Sequence, residues 1–216
     1  MTTRLTRKQQ QAKTRERLME SAMRVFSEEG LDGASIDAIA AGAGYTKGAF
    51  YANFESKNEL FLTILEDRID RRTEEVERVW SEDDESPPEQ ARHSAADFAR
   101  AIRADPDAPR LFLEFCAHAI RDEPFRVELV TRFARLRERL EEAYARRAQA
   151  YGVEPAIGMD RIVRMVIAIC DGWELWQLLE PDAVDERLLE ETMEAFTIGL
   201  GVMSGALEVT EGPSPG

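Results

Sequence analysis

Histidine and cysteine are scarce in this chain, which has two of each among its 216 residues. His93 and His118 cannot supply a His-x-x-x-His pair or a Cys/His metal cluster. The sequence also has no glycine-rich phosphate loop, no dinucleotide fingerprint and no nucleophile elbow. We therefore expect no bound metal, no cofactor and no catalytic residues, and we do not interpret the chain as an enzyme.

Long apolar runs are absent as well. No segment is apolar enough to span a membrane, and the basic N-terminus lacks the apolar stretch of a secretory signal. Cys116 and Cys170 each lie in an apolar helical context, which is typical of buried, reduced thiols. We expect a cytoplasmic protein with no membrane partner. A redox role for either cysteine remains an open alternative.

Positive charge is scarce overall and is concentrated at one end. The formal net charge is −14, which argues against a general nucleic-acid binder. Residues 1–60 carry nine Lys/Arg and eight Asp/Glu, so the remainder carries about −15. An acidic body repels DNA everywhere except at the basic end, which favours oriented, specific binding. The same acidic surface also serves simply to keep the body soluble.

Three consecutive helix boundaries are indicated in the first third of the chain. Ser35 and Thr46 are good N-cap residues, and Gly44 lies where a helix must end with positive φ. Ser56 and Glu59 form an S-x-x-E capping box, so another helix begins there. This pattern predicts a helix-turn-helix with a further helix directly behind it.

The second helix of this motif has one apolar edge and one edge of small residues. Phe50 and Phe54 are one turn apart and form the apolar edge. Gly48 and Ala49 lie opposite, so the backbone can approach another molecule closely. Hydrogen-bond donors for phosphates or base edges flank these residues: Lys47, Tyr51, Asn53 and, in the next helix, Lys57. The alternative is a small helical hairpin with a solvated face.

Several motifs occur together around this pattern: FSEEG at the end of the first helix, then TKGAFYANF from Thr46 and SKNELF from Ser56. With them, residues 14–65 resemble the DNA-binding domain of the TetR family of transcriptional regulators. The resemblance implies that Tyr51 and Lys57 hold phosphates and that residues 46–49 enter the major groove. The predicted DNA-binding residues are Arg15, Ser35, Thr46, Lys47, Gly48, Ala49, Tyr51, Asn53 and Lys57.

Asn53 and Asp37 differ from the other residues of this motif. Asn53 stands where such proteins usually have an aromatic residue or His and sometimes Asn, and we expect it to read bases. Asp37, near the N-terminus of the preceding helix, either repels phosphate or interacts favourably with that helix dipole.

The resemblance and the helical periodicity further along predict an all-α fold of about nine helices. A three-helix helix-turn-helix head is joined by a long fourth helix, from about Ser56 to Trp80, to a helical body. The acidic, proline-containing residues 81–90 are expected to form a solvated loop. The predicted divisions are residues 1–13, a flexible basic arm; 14–73, the DNA-binding domain; 74–208, a ligand-binding and dimerisation domain; and 209–216, a disordered tail.

The body of the resembling family surrounds a central cavity, which implies a site for a small apolar or amphipathic effector. The expected lining residues are Phe98, Phe112, Phe115, Cys116, His118, Phe133, Met165, Ile169 and Trp173. Apolar walls with a few polar groups suit such a ligand. The alternative is plain packing, because aromatic stripes at helical spacing are usually core.

The last helix carries a regular apolar seam with spacings of four and three. Its residues are Leu189, Met193, Phe196, Leu200, Met203 and Leu207. Such a seam is coiled-coil-like and suggests an intermolecular four-helix bundle. The resemblance implies that the last two helices form a homodimer interface. The alternative is that both helices close the body's own core.

The sequence therefore predicts a homodimeric transcriptional repressor that a small ligand releases from a palindromic operator in double-stranded DNA. One alternative is an activator or a ligand-independent regulator of the same fold. A more remote alternative is a helical enzyme or interaction module with a vestigial head.

Overall fold

The computed structural model describes residues 6–81, 85–105 and 107–207. These residues form nine α-helices and no strand, so the predicted all-α fold is confirmed. The helices are α1 (Arg7–Gly33), α2 (Ile36–Gly42), α3 (Lys47–Tyr51), α4 (Lys57–Ser81), α5 (Pro87–Ala104), α6 (Asp107–Arg121), α7 (Glu123–Ala150), α8 (Met159–Leu179) and α9 (Glu186–Met203). None of these described helices combines the length and hydropathy that a membrane crossing requires. The predicted tail, 209–216, lies outside the described residues.

Two helices begin earlier than the sequence predicts, because a capping box precedes each of them. Helix α1 begins at Arg7, where the Thr6 hydroxyl accepts from the Gln9 amide at 3.3 Å and the Gln9 side chain accepts from the Thr6 amide at 2.8 Å. Residues 7–13 of the expected arm are therefore helical. Residues 1–5 of that arm lie outside the described residues. Helix α5 begins at Pro87 through a similar box, so the expected loop is shorter than residues 81–90.

The chain divides into two compact units. The first comprises Met1–Asp70 and Pro106–Arg132, and the second comprises Arg71–Asp105 and Phe133–Gly216. The expected division was contiguous, with a boundary near residue 73. The boundary between the two units falls within the continuous helix α4, after Asp70, which is close to that position. However, α6 and the beginning of α7 belong to the same unit as the N-terminal helices.

Phe61, a fully buried residue of α4, is at the centre of the first unit. Its ring stacks on Phe115 with 3.8 Å between centroids and on Phe125 at 5.9 Å, and it meets Phe26 edge-on at 4.7 Å. These partners come from α6, α7 and α1. One aromatic cluster therefore joins α6 and α7 to the helices of the head, because offset and edge-on aromatic pairs add to the burial of large apolar surface.

Polar contacts also join α1 to α6. The Ser27 hydroxyl donates to Asp107 at 2.8 Å, and the Leu31 amide donates to Glu114 at 3.3 Å. Asp32 lies 3.5 Å from His118, and it also lies 3.7 Å from the guanidinium of Arg121. We call this set the α1–α6 polar seam. Each of its four α6 residues contacts the last two turns of α1.

A break in α1 makes one of these contacts available. Gly30 has φ +70° and ψ 171°, which interrupts the helix within its last turns. Positive φ is strained for any residue with a side chain. A Cβ at this position would also lie 3.0 Å from the Glu114 carboxylate. The interruption leaves the Leu31 amide free to bond Glu114 instead of a carbonyl of its own helix.

The second unit is built around α5, α8 and α9. Its core includes Ala99, Val163 and Leu189, which are all buried. Arg92 of α5 lies 3.5 Å from both Glu190 and Glu194 on α9, so ion pairs flank the apolar contact between these helices. The seam residues Leu189 and Met193 are buried within this unit. Their predicted place in a dimer interface stays a prediction.

Replacing Phe61 by Ala should lower the free energy of unfolding by about 3–5 kcal/mol, because a cavity forms where three helices meet α4. Ile120→Ala is the matched control, since Ile120 is 83% exposed in the same unit. The control should change stability by less than about 0.5 kcal/mol. Urea denaturation followed by circular dichroism measures both. Similar losses for the two variants would contradict a core centred on Phe61.

Candidate nucleic-acid interface

The α2–α3 turn has the capping geometry that the sequence predicts. The Ser35 hydroxyl accepts from the Ala38 amide at 3.0 Å, and the Thr46 hydroxyl accepts from the Ala49 amide at 3.3 Å. Gly44 has φ +76°. Its amide and the next one bond back to carbonyls near the end of α2, in a Schellman arrangement. These caps and the turn glycine are confirmed.

Helix α3 presents two contrasting faces. Phe50 and Phe54 point inward and are buried. Thr46, Lys47 and Gly48 are exposed. Tyr51 is 52% exposed, and no group among the described residues bonds its hydroxyl. A Cβ at Gly48 would meet no atom nearer than 3.7 Å, so the protein itself does not require glycine there. The outer face therefore offers little steric obstruction to an approaching surface.

Lys57 is bound to the protein itself. Its ammonium donates to the carbonyls of Leu31 and Ala34, the latter at 2.8 Å, and lies 3.5 Å from that of Asp32. Three donors thus meet the carbonyls at the C-terminal end of α1, where a cation is favoured. Lys57 holds the α1–α2 connection against the start of α4. Its predicted contact with phosphate stays a prediction.

Arg15 is bound in a similar way. Its guanidinium donates to the main-chain carbonyl of Asn53 at 2.8 Å and lies 4.2 Å from the centre of the Phe54 ring. Its second nitrogen reaches the Thr63 hydroxyl at 3.4 Å. Arg15 therefore joins α1, the chain just after α3, and α4. A cation–π contact and a charged hydrogen bond are both worth more when they are partly desolvated.

The Asn53 side chain also turns toward the protein. Its amide nitrogen donates to the Ala49 carbonyl at 2.8 Å. Its side-chain oxygen is buried and has no partner among the described residues. This conformation satisfies a carbonyl at the end of α3, where the helix leaves carbonyls free. The predicted base-reading role of Asn53 therefore requires a different rotamer from the one observed.

Lys47 differs from these groups because its partner is an exposed side chain. Its ammonium lies 3.0 Å from the Asp37 carboxylate, and the two side chains are 53% and 69% exposed. The hydrogen bond and the charge of Asp37 raise the pKa of Lys47. Asp37 was expected to face either phosphate or the helix dipole. In the structure it lies in the first turn of α2 and pairs with the first residue of α3.

The residues predicted to line a ligand cavity are distributed over both units. Phe112, Phe115, Cys116 and His118 belong to the first, and Phe98, Phe133, Met165, Ile169 and Trp173 belong to the second. Within the second unit, Phe98 meets Trp173 edge-on at 6.0 Å, and the Trp173 indole donates to the Asp185 carbonyl at 2.9 Å. Phe115 belongs to the aromatic cluster around Phe61.

No disulfide bond joins Cys116 and Cys170 in the part of the chain that the structure describes. Nowhere in that part of the chain do three or more His, Cys, Asp or Glu side chains gather as metal ligands would.

Sequence reasoning missed the partners of the cations in the head. The carbonyls that bind Arg15 and Lys57 lie 38 and 26 positions away in the sequence, and main-chain carbonyls leave no compositional signal. The α1–α6 polar seam was missed for the same reason, since Glu114 is 83 positions from Leu31.

Two capped helices joined by a glycine turn, with an exposed outer face on the second, define a helix-turn-helix protein of the DNA-binding class. Two family models match the sequence. One, described as bacterial regulatory proteins of the tetR family, matches residues 18–64; the other, described as the C-terminal part of BetI-type transcriptional repressors, matches residues 87–200. The second covers more than half of the chain. The protein belongs to the TetR family of bacterial regulatory proteins.

Individual relatives agree with this assignment. The regulator AcrR of Shigella flexneri is 41% identical over 59 residues, which are 27% of each chain. The repressor BepR of Brucella suis is 40% identical over 58 residues, or 27% of this chain and 28% of that one. The match thus spans about a quarter of these relatives. Both are named as transcriptional regulators and not as enzymes.

Solved structures share the fold over most of the chain. A putative transcriptional regulator from Pseudomonas aeruginosa PAO1 has a TM-score of 0.74 at 20% identity, covering 94% of this chain and 95% of that one. FadR from Bacillus subtilis, solved in complex with stearoyl-CoA, has a TM-score of 0.70 at 14% identity, with coverages of 89% and 99%.

Arg15→Met should destabilise the head by about 1–2 kcal/mol, because the carbonyl after α3 loses a charged donor. The salt dependence of binding to a random-sequence duplex should stay unchanged, since Arg15 is bound to the protein. Arg17→Met, at an exposed position of α1, is the control and should leave stability unaltered. A fall of about 0.9 in the salt slope for each head would instead make Arg15 a phosphate contact.

Proposed function

We propose that the protein is a homodimeric transcriptional repressor whose α3 helices read a near-palindromic operator. The observation that carries this proposal is the outer face of α3. There an exposed tyrosine, whose hydroxyl has no partner among the described residues, lies one turn from Gly48, where a Cβ would meet only the Thr46 hydroxyl, at 3.7 Å. The tyrosine hydroxyl suits a phosphate, and the open backbone suits the floor of a major groove.

Repression is favoured over activation by two comparisons. The C-terminal family model is described as that of transcriptional repressors, and BepR is named a repressor. A repressor needs only to occupy its site, so the head and a dimerising body suffice. Activation or ligand-independent regulation by the same fold is the second candidate. Such a protein acts in the cytoplasm, where bacterial DNA lies.

The dimer interface is proposed on α8 and α9. Large apolar side chains remain exposed on these helices and just after α9: Trp176, Leu179, Leu188, Ile198, Met203 and Leu207. Of the predicted seam, Phe196 and Leu200 are half-buried. Gly199 has open space where a Cβ would lie. Glycine inside a helix lowers stability by roughly 0.5–1 kcal/mol relative to alanine. Close packing of a helix from a second copy against Gly199 would offset this cost.

Release by a small apolar or amphipathic ligand is proposed to act through α6. The α1–α6 polar seam and the aromatic cluster around Phe61 both tie α6 to the helices that carry α3. A ligand that binds better to a conformation with displaced α6 would shift the head with it. A full reversal of occupancy, from 99:1 to 1:99, needs about 5.5 kcal/mol of differential affinity. The stearoyl-CoA bound by FadR is one amphipathic ligand of this chemical type.

Fluorescence anisotropy with excess random competitor tests operator binding, using DNA that flanks the protein's own gene. One fragment should bind tightly. Tyr51→Phe should weaken binding roughly tenfold, because a hydrogen bond to a charged phosphate is lost. The loss should be equal for operator and random DNA, since phosphates carry no sequence information. Tyr151→Phe, in the second unit, is the control. Unchanged affinity in Tyr51→Phe would remove that hydroxyl from the interface.

Sedimentation equilibrium tests the dimer. Ile198→Glu should give a monomer at micromolar concentration, because a carboxylate would be buried without a partner. Val130→Glu is the matched control: Val130 is 51% exposed against 41% for Ile198, but it belongs to α7 in the first unit. The control should stay dimeric. A dimer that survives Ile198→Glu and dissociates with Val130→Glu would move the interface to α7.

A further inference from the structure

Three cations of the head were expected to face DNA, and the structure separates them into two kinds. Arg15 and Lys57 are partly buried and donate mainly to main-chain carbonyls, which cannot move away without distorting the fold. Lys47 is exposed and pairs with a carboxylate that is itself exposed. Only this third cation can exchange its partner by rotation of two side chains.

The Lys47–Asp37 pair lies where a change of partner by Lys47 would affect DNA binding. Lys47 is the first residue of α3, beside the exposed Thr46 and Gly48, and Asp37 approaches it from α2. Lys47 therefore lies on the face proposed to meet DNA. Any phosphate that binds Lys47 must compete with Asp37 for the same ammonium. Because phosphates are the same in every sequence, the competition applies to all DNA.

We propose that Asp37 is a restraining residue that keeps Lys47 from phosphate and so weakens the binding of the head to DNA of any sequence. The inference rests on the proposed DNA-reading role of α3. In random DNA, phosphate contacts supply nearly all of the affinity, so restraining one ammonium lowers that affinity. An operator offers the same phosphates, so the restraint lowers its affinity by a similar factor. Asp37 therefore limits how tightly the head holds any DNA and leaves the ratio of specific to non-specific binding unchanged.

Counterions provide a separate readout. While Lys47 stays paired with Asp37, it neutralises no phosphate and releases no counterion from the DNA. In Asp37→Asn the ammonium is available to a phosphate, so the dependence of affinity on salt should steepen by about 0.9 for each head. If Asp37 only repelled DNA through its negative charge, the steepening in Asp37→Asn would not depend on Lys47.

The experiment measures affinity for a random-sequence duplex across a salt series, by fluorescence anisotropy. Asp37→Asn should tighten binding at low salt by roughly two- to fivefold. Glu55→Gln removes an equal charge from the head and is the matched control, because Glu55 is exposed and has no ion pair among the described residues. The control should change affinity less. Thermal unfolding of each variant checks that α2 keeps its stability.

A double-mutant cycle with Lys47→Met then separates restraint from repulsion. If Asp37 acts through Lys47, the gain from Asp37→Asn shrinks and the change in salt slope disappears in the Lys47→Met background. Equal gains in both backgrounds, or a gain no larger than that of Glu55→Gln, would overturn the inference alone. Wild-type protein that binds neither random DNA nor any flanking fragment would overturn the proposed function itself.

Discussion

A helix of five residues cannot hold its own conformation in water, because nucleating a helical turn costs more than so few hydrogen bonds return. Helix α3 therefore depends on tertiary contacts. Phe50 and Phe54 anchor its inner face, and Arg15 holds the carbonyl just beyond its end. The orientation of the DNA-facing surface is consequently set by side chains that point away from it. Arg15 and Lys57, which the sequence predicts to bind phosphate, bond main-chain carbonyls of the head, and their contact with phosphate stays a prediction.

The head has a second dependence, on a helix distant in the sequence. Phe115 stacks on Phe61, and Glu114 bonds the Leu31 amide at the break in α1. The Phe115–Phe61 contact buries apolar surface. The hydrogen bond from the Leu31 amide requires a carboxylate at a particular distance, which Glu114 supplies. Together they make α6 a structural member of the unit that contains α3. This arrangement supplies a physical route by which an event at α6 would alter DNA binding.

The sequence predicted those features whose causes are local. Ser35, Gly44 and Thr46 determine the helix-turn-helix through caps and a positive φ, and each can be recognised from neighbouring residues. It could not predict contacts between segments that are far apart in the chain. The acceptors of Lys57 are carbonyls of another segment, and the burial of Leu189 depends on α5. A regular apolar seam has the same pattern whether it packs on its own chain or on a partner. Spacing alone therefore could not assign α9 to the core of its own chain or to a dimer interface.

We propose that a two-fold symmetric pair of α3 helices recognises one DNA sequence. Selection of binding sites from a random DNA pool by the full-length wild-type protein tests it most directly. The account predicts enrichment of an inverted repeat whose half-sites lie about one helical turn, roughly 34 Å, apart or a multiple of that spacing. A pool that converges on a single asymmetric site, or that shows no enrichment after repeated rounds, would contradict it.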